Sequence, residues 1–221
     1  LKVDVDDEDS LAPCLTRESA HKPLDAAVVR LPRISNFTDF TPLEEHPQIG
    51  VRYVDDPRKL GNPDLVILPG TKSTIGDLLW MRQNGLEAAI QKLAASGTPV
   101  LGVCGGYQML GEEIIDPDGV ERKGAVKGMG LLPVRTVFEQ QKTRTRVTGR
   151  FQNMSGILSC FNQVEIEGYE IHMGTTSFTG EGRHILTLKE GMQGEGCKLD
   201  GAAKENVCGC YVHGVFDRPE A

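Results

Sequence analysis

The 221-residue chain has 39% hydrophobic and 25% charged residues, a balance that suits a water-soluble globular protein. Its formal net charge of −7 argues against a nucleic-acid surface, which needs clustered Lys and Arg. No apolar run approaches the roughly 18–20 residues that cross a bilayer, and no basic-then-apolar signal segment opens the chain.

Residue 1 is Leu, so the chain reads as a processed product or an excised piece of a longer polypeptide. Residues 1–23 read as a linker from an absent upstream domain. Asp4, Asp6, Asp7, Glu8 and Asp9 crowd there, and no apolar period follows. From residue 24 short apolar runs begin. "LDAAVVRL" (24–31), "QIGVRYV" (48–54) and "DLVILPG" (64–70) each have a buried-strand signature. "TIGDLLWMRQNG" then predicts a helix capped by Ser73 or Thr74. In "LEAAIQKLAASG", Leu86, Ala89, Ile90, Leu93 and Ala94 recur at helical spacing, and Gly97 ends the helix. "PVLGVC" is a further buried strand, with a helix expected from near Gly105.

Strands that are apolar on both faces and alternate with helices predict an α/β fold. Its mostly parallel central sheet is covered by helices on both faces. Ligands in such sheets sit beyond the carboxyl ends of the strands. The second half differs. After the turn cluster "IDPDG" (115–119), "RTRVTGRF", "NQVEIEGYEIHMG", "HILTLKEG" and "VCGCYVHGVFD" read as strands joined by glycines, an antiparallel extension of the same domain.

The cysteines at 14, 104, 160, 197, 208 and 210 lack the rhythm of a disulfide-stapled domain, which suggests a reducing, cytoplasmic setting. Cys208-Gly-Cys210 lacks the CxxC pairs of a zinc site and reads as two small core residues, so no metal is expected.

Cys104 is different, because it follows an apolar strand and is flanked at Gly102-x-Cys104-x-Gly106. A strand that turns sharply into a helix needs very small residues two before and two after its apex, and it pushes the apical side chain into a cleft. A thiol at a helix N-terminus is activated by the dipole and free amides, and the Gly105 amide can stabilise an oxyanion. Gly70 and Thr71, at the end of the third strand, supply a second wall of such a hole. Lys72 invites a phosphate-loop reading, but the upstream glycine of GxxxxGK[ST] is missing.

A thiolate nucleophile wants an imidazole partner. His21 and His46 read as solvated, and His184 opens a strand with no visible partner. His172 in "GYEIHMG" and His213 in "YVHGVFD" each end an apolar strand just before a glycine. Both stay open, with the placement after "CGCYV" favouring His213.

Five stretches in order are of one family's type: "AVVRLPRISNFTDFTPLE" (27–44), "DLVILPGTKSTIGDL" (64–78), "GVCGGYQMLG" (102–111), "GYEIHMG" (168–174) and "YVHGVFD" (211–217). On these the chain resembles, over nearly its whole length, the glutaminase part of the cobyric acid synthase family of class I (triad) glutamine amidotransferases. The resemblance implies a flavodoxin-like amidotransferase domain over residues 24–221 and a preceding synthetase domain of the same polypeptide. It implies that glutamine is split at Cys104 through a γ-glutamyl thioester. The intermediate is held by amides of Gly70 or Thr71 and of Gly105. His213 protonates the departing ammonia, and Tyr107 and Gln108 shape the glutamine pocket. No cofactor is expected in this domain. ATP and magnesium belong to the synthetase domain, where the b, d, e and g carboxylates of a corrinoid, adenosylcobyrinic acid a,c-diamide, become amides on the way to cobalamin.

The class carries His-Pro-Glu, its glutamate orienting the histidine, whereas here the residues are His213-Gly214-Val215. Glu170 and Asp217 are candidate stand-ins. Otherwise the acid comes from the missing domain or does not exist. Two further readings stand beside the first. One is a glutaminase serving the a,c-diamide step or a cell-wall lipid precursor; the other is a non-catalytic docking module.

Overall fold

The structure is a computed structural model and describes residues 22–190 and 196–218. All but the last two residues of the expected linker therefore lie outside the described residues, as do Cys14 and His21. In the first half, strands β1 (Leu24–Val29), β2 (Ile49–Val54), β3 (Leu65–Leu68) and β4 (Val100–Val103) alternate with helices. These are α1 (Thr41–Glu45), α2 (Pro57–Leu60), α3 (Thr74–Asn84), α4 (Leu86–Ala95) and α5 (Gly105–Leu110). The predicted elements are present, each trimmed by a residue or more at its ends. The second half adds β5 (Glu113–Asp116), β6 (Gly124–Lys127), β7 (Val134–Phe151), β8 (Glu165–Phe178), β9 (Leu186–Glu190) and β10 (Cys197–Asp200). It closes with β11 (Ala202–Lys204), β12 (Val207–Cys210) and β13 (Val212–His213).

Six strands form the central sheet in the order β11-β12-β4-β3-β1-β2, all parallel except β11. Here "VCGCYV" departs from expectation. β12 does not join the antiparallel extension but runs parallel to β4, with Cys210 level with Val103. Its full burial makes this possible, because a strand hidden on both faces must be apolar or small throughout. Cys208 and Cys210 are core residues as expected, and burial pushes the Cys208 thiol up to about 12.

Helices lie on both faces, unequally. Ala27, Val29, Val66, Leu68 and Val100 pack under α3, α4 and α5. On the opposite face Ala26, Val28, Ile67, Leu101 and Val103 meet Phe40 and Leu43 from the short helical stretch before β2. The rest of that face is covered by Val147, Ile166, Leu186 and Leu188 of a second sheet. Each fully buried aliphatic side chain contributes about 1.5–3 kcal/mol. Both faces are therefore needed to hold the strand ends in register.

The second sheet runs β10-β9-β7-β5-β6, with β8 on β7 and β13 on β8. It is antiparallel apart from the pair β5–β7. β7 is much longer than the predicted 144–151, because its pairing with β8 shifts between Val137 and Lys142. The intervening "FEQQ" breaks the apolar alternation, and such a bulge bends a strand and re-aims its side chains. No helix among the described residues is long and apolar enough to cross a membrane.

Candidate active site

Four chain segments beyond the carboxyl ends of β1, β3, β4 and β12 converge. At β4 the chain turns into α5 with Cys104 at φ 53° and ψ −110°, a positive φ that a non-glycine residue adopts only at a cost of order 1–3 kcal/mol. The flanking glycines make this turn possible. A Cβ on Gly106 would run into the Leu68 carbonyl oxygen, and one on Gly102 would stand 2.7 Å from Tyr107 N. Neither gap admits a side chain, so the spacing read from sequence is a steric requirement. Cys104 N donates to Cys210 O at 2.9 Å, tying the turn to β12. The sulfur lies 3.6 Å from Ile171 O on β8.

The same β12 segment carries His213, which is buried. Its Nδ1 lies 2.6 Å from Asp39 Oδ2, and the other oxygen of Asp39 accepts from Gly214 N at 3.1 Å. A carboxylate can only accept, so Nδ1 donates to it. Nε2 is buried and makes no hydrogen bond to any described group. Burial opposes a charge on this ring, but the Asp39 carboxylate and then the Cys104 sulfur outweigh it and raise His213 to about 10. Tyr169 stacks on the imidazole with centroids 5.1 Å apart, and its hydroxyl accepts from Asn36 Nδ2 at 2.6 Å.

His172, the other candidate, has a different environment. Its Nδ1 lies 3.1 Å from Gly174 O, and its ring stacks on Tyr211 at 3.6 Å. Burial first and Lys198 second push it down to about 4, so it stays neutral where His213 is charged. Sequence alone left these two open, and their partners separate them.

Neither acid proposed as the orienting group fills that place. Glu170 is fully buried and bonded to Lys198 Nζ at 2.8 and 3.0 Å. Burial, and after it the Asp39 carboxylate, raise the pKa of Asp217, which makes no bond to His213. The carboxylate is Asp39, in the 3-10 turn Phe37–Phe40 within "RISNFTDF". One signal for it was present. Cys104, Gly70 and His213 all stand just past the end of an apolar strand, and Asp39 lies on the segment that leaves β1.

The loop after β3 supplies the opposite wall. A Cβ on Gly70 would lie 3.0 Å from His213 Cε1, and one on Gly105 would lie 3.3 Å from Thr71 N. The Thr71 amide thus sits close to Gly105 beside the turn. Thr71 is held there by Asp77, which accepts from Thr71 Oγ1 at 2.6 Å and from Arg33 N and Nη1 at 3.1 Å. α3 has no side-chain cap from Ser73. Instead Glu121, reaching from the β5–β6 loop, accepts from Thr74 N and Ile75 N at 2.9 and 2.8 Å. Gln108 is buried. It accepts from Thr74 Oγ1 at 3.1 Å and donates to Met173 O at 3.0 Å and the Tyr211 hydroxyl at 3.2 Å. It clamps α5 to α3 and β8. Tyr107, expected beside it in the pocket, instead packs in the core edge-on to Tyr211.

This arrangement suits nucleophilic acyl chemistry: a strained thiol, a buried histidine whose Nδ1 is held by a carboxylate, and the Thr71 amide close to Gly105 beside the turn. Three comparisons fit it. Residues 25–221 match the family model of the CobB/CobQ-like glutamine amidotransferase domain. The chain is 53% identical to a cobyric acid synthase of Ruminiclostridium cellulolyticum, over its whole length and 43% of that protein. It is 45% identical to one of Moorella thermoacetica, over 91% of the chain and 39% of that protein. The chain thus spans less than half of these relatives. Among solved structures, a PurLQS chain from Thermotoga maritima superposes with a TM-score of 0.63 at 23% identity, over 87% of this chain and 88% of that one. A glutamine amidotransferase of the same organism gives 0.56 at 15% identity, over 87% and 76%. Both share the fold. The chain belongs to the CobB/CobQ-like glutamine amidotransferase domain family.

Proposed function

We propose that the chain is the glutamine-hydrolysing part of a cobyric acid synthase. In this reading Cys104 attacks the side-chain amide of glutamine after His213 takes its proton. The amides of Thr71, or Gly70, and Gly105 hold the tetrahedral oxyanion. His213 returns the proton to the departing nitrogen, so ammonia leaves and a γ-glutamyl thioester remains on Cys104. Water, deprotonated by His213, hydrolyses the thioester to glutamate and restores the thiol. Asp39 acts through His213, holding Nδ1–H so that Nε2 serves the sulfur. Gln108 shapes the pocket as a clamp between α3, α5 and β8.

The observation that carries the reading is the strained Cys104 beside the buried His213–Asp39 pair. Asp39 also removes the motive for a non-catalytic docking module, which was the missing carboxylate. The names of the curated relatives favour cobyric acid synthesis over the a,c-diamide step or a cell-wall precursor. The ammonia then passes to a synthetase domain of the same polypeptide, where ATP and magnesium activate the corrinoid carboxylates. A cytoplasmic setting agrees with the free thiols at 104, 160, 197, 208 and 210.

Substitution of Cys104→Ser tests the reading. The variant is expected to keep the melting temperature of the unmodified chain and to release no glutamate from glutamine. Normal turnover by the variant would overturn the assignment.

A further inference from the structure

Two loops that leave neighbouring strands of the central sheet are fastened to each other beside the Cys104 turn. One leaves β1 through Arg33, Ile34 and Ser35, and the other leaves β3 through Gly70, Thr71 and Lys72. Ile34 and Thr71 form an antiparallel bridge, closed by Ser35 N donating to Gly70 O at 3.0 Å and Lys72 N donating to Arg33 O at 2.9 Å. In a bridge of this pattern the central pair does not bond to itself, so the Thr71 N–H points away from the β1 loop. The Gly70–Thr71 peptide is trans and Ser35 takes its carbonyl, which sets the N–H on the opposite side. Gly105 is a neighbour of that nitrogen, since a Cβ there would lie 3.3 Å from Thr71 N.

Asp77, in the first turn of α3, supplies the side-chain part of this fastening. It is fully buried, a place that a carboxylate keeps only when its oxygens are bonded. Oδ2 accepts from Thr71 Oγ1 at 2.6 Å and from Arg33 N at 3.1 Å, and Oδ1 accepts from Arg33 Nη1 at 3.1 Å. The Thr71 hydroxyl also reaches Arg33 O at 3.0 Å and accepts from Ser73 N at 3.1 Å. One buried group thus grips both loops. The β1 loop is anchored in turn by Leu31 and Ile34 on one side of the sheet and by Phe40 on the other. The same segment carries Asp39, the partner of His213.

We propose that Asp77 is a positioning residue: by holding the Thr71 side chain against the loop that leaves β1, it presets the Thr71 N–H for the oxyanion formed at Cys104. This rests on the glutaminase reading above and names the group that fixes the far wall of its site. Asp77 acts through Thr71, so its effect falls on the step in which the amide carbon becomes tetrahedral. A donor already in place costs no reorganisation when that charge develops.

The test compares two reactions of Cys104 that differ in their need for that N–H. Glutamine hydrolysis builds an oxyanion, whereas alkylation by iodoacetamide needs only the thiolate. Thr71→Val keeps the backbone amide and the side-chain shape and removes the hydroxyl that Asp77 holds. It is expected to lower kcat for glutamate release at least about tenfold, with KM for glutamine and the alkylation rate unchanged. Thr71→Ser returns the hydroxyl and is expected to recover most of that loss. Asp77→Ala is expected to lower kcat as far as Thr71→Val does, and the two together no further, because they cut one bond. Equal slowing of hydrolysis and alkylation, a rise in KM alone, additive losses, or full kcat in Thr71→Val each overturn the positioning role and leave the glutaminase reading in place. Thr71→Val decides the point if Asp77→Ala does not fold. If the unmodified chain is alkylated at Cys104 but releases no glutamate, that reading fails and the positioning role with it.

Discussion

At the scale of single residues, the working parts are common side chains placed in uncommon settings. His213 and His172 end similar strands in similar text, yet one is held at about 10 and the other at about 4. A carboxylate on Nδ1 makes the difference for the first, and burial beside Lys198 for the second. Asp39→Asn is therefore expected to lower glutamate release roughly 10²–10⁴-fold, since an amide can hold the imidazole in the wrong tautomer. Asp217→Asn, which leaves the His213–Asp39 bond in place, is expected to stay within about threefold. Steady-state rates of the two variants at pH 7 check this, and a reversed order would remove Asp39 from its role. Cys104 was legible because its constraint is local and is written in the two glycines around it. Asp39 was marked only by its place on the segment that leaves β1, because its partner is 174 residues away. Nothing within "NFTDF" distinguishes an orienting acid from an ordinary turn residue.

At the scale of elements, the glycine at 106 fixes how closely α5 lies on β3. A Cβ there collides with Leu68 O, so Gly106→Ala must push helix and strand apart. A cost of about 1–3 kcal/mol is expected, as for other overpacked sites. Labelling of Cys104 should fall with it, because the turn that strains the thiol opens. Chemical denaturation and labelling kinetics on one sample measure both, and an unchanged midpoint would refute the steric account. Elements with uninterrupted periodicity, such as α4 and β4, were visible in the sequence. β7 was visible only over its second half, because the pairing shift at Val137–Lys142 interrupts its pattern. The cap on α3 was hidden for another reason. Glu121 reaches it from a loop 46 residues beyond Ile75, outside the local grammar of caps.

At the scale of the whole molecule, β12 ties the two halves together. It lies between β4 and β11, and the chain then passes directly into β13 on the second sheet. Asp200, next to this crossing, is wholly buried and accepts from Tyr211 N at 2.9 Å. Burial raises it to about 7, so the native state keeps a proton that the unfolded chain has released above its ordinary 3.8. Stability should therefore decline as pH rises from about 4 to about 7, with the cost fully present above that. Asp200→Asn keeps an acceptor for Tyr211 N, removes the titration and should flatten this part of the profile. Melting temperatures of both proteins at pH 4.5 and 8 decide the point, and equal slopes would refute it. The parallel half of the fold followed from alternating strands and helices. The placement of "VCGCYV" did not, because a run of small buried residues suits either sheet.

The contact between His213 and Asp39 closes nearly the full span of the described chain. A ribosome makes Cys104 more than a hundred residues before His213, its partner in the proposed mechanism. Contacts so distant along the chain form late, after their loop-closure entropy has been met. On the proposed mechanism the nascent polypeptide carries an idle thiol, which can become reactive only once β13 is in place on the second sheet.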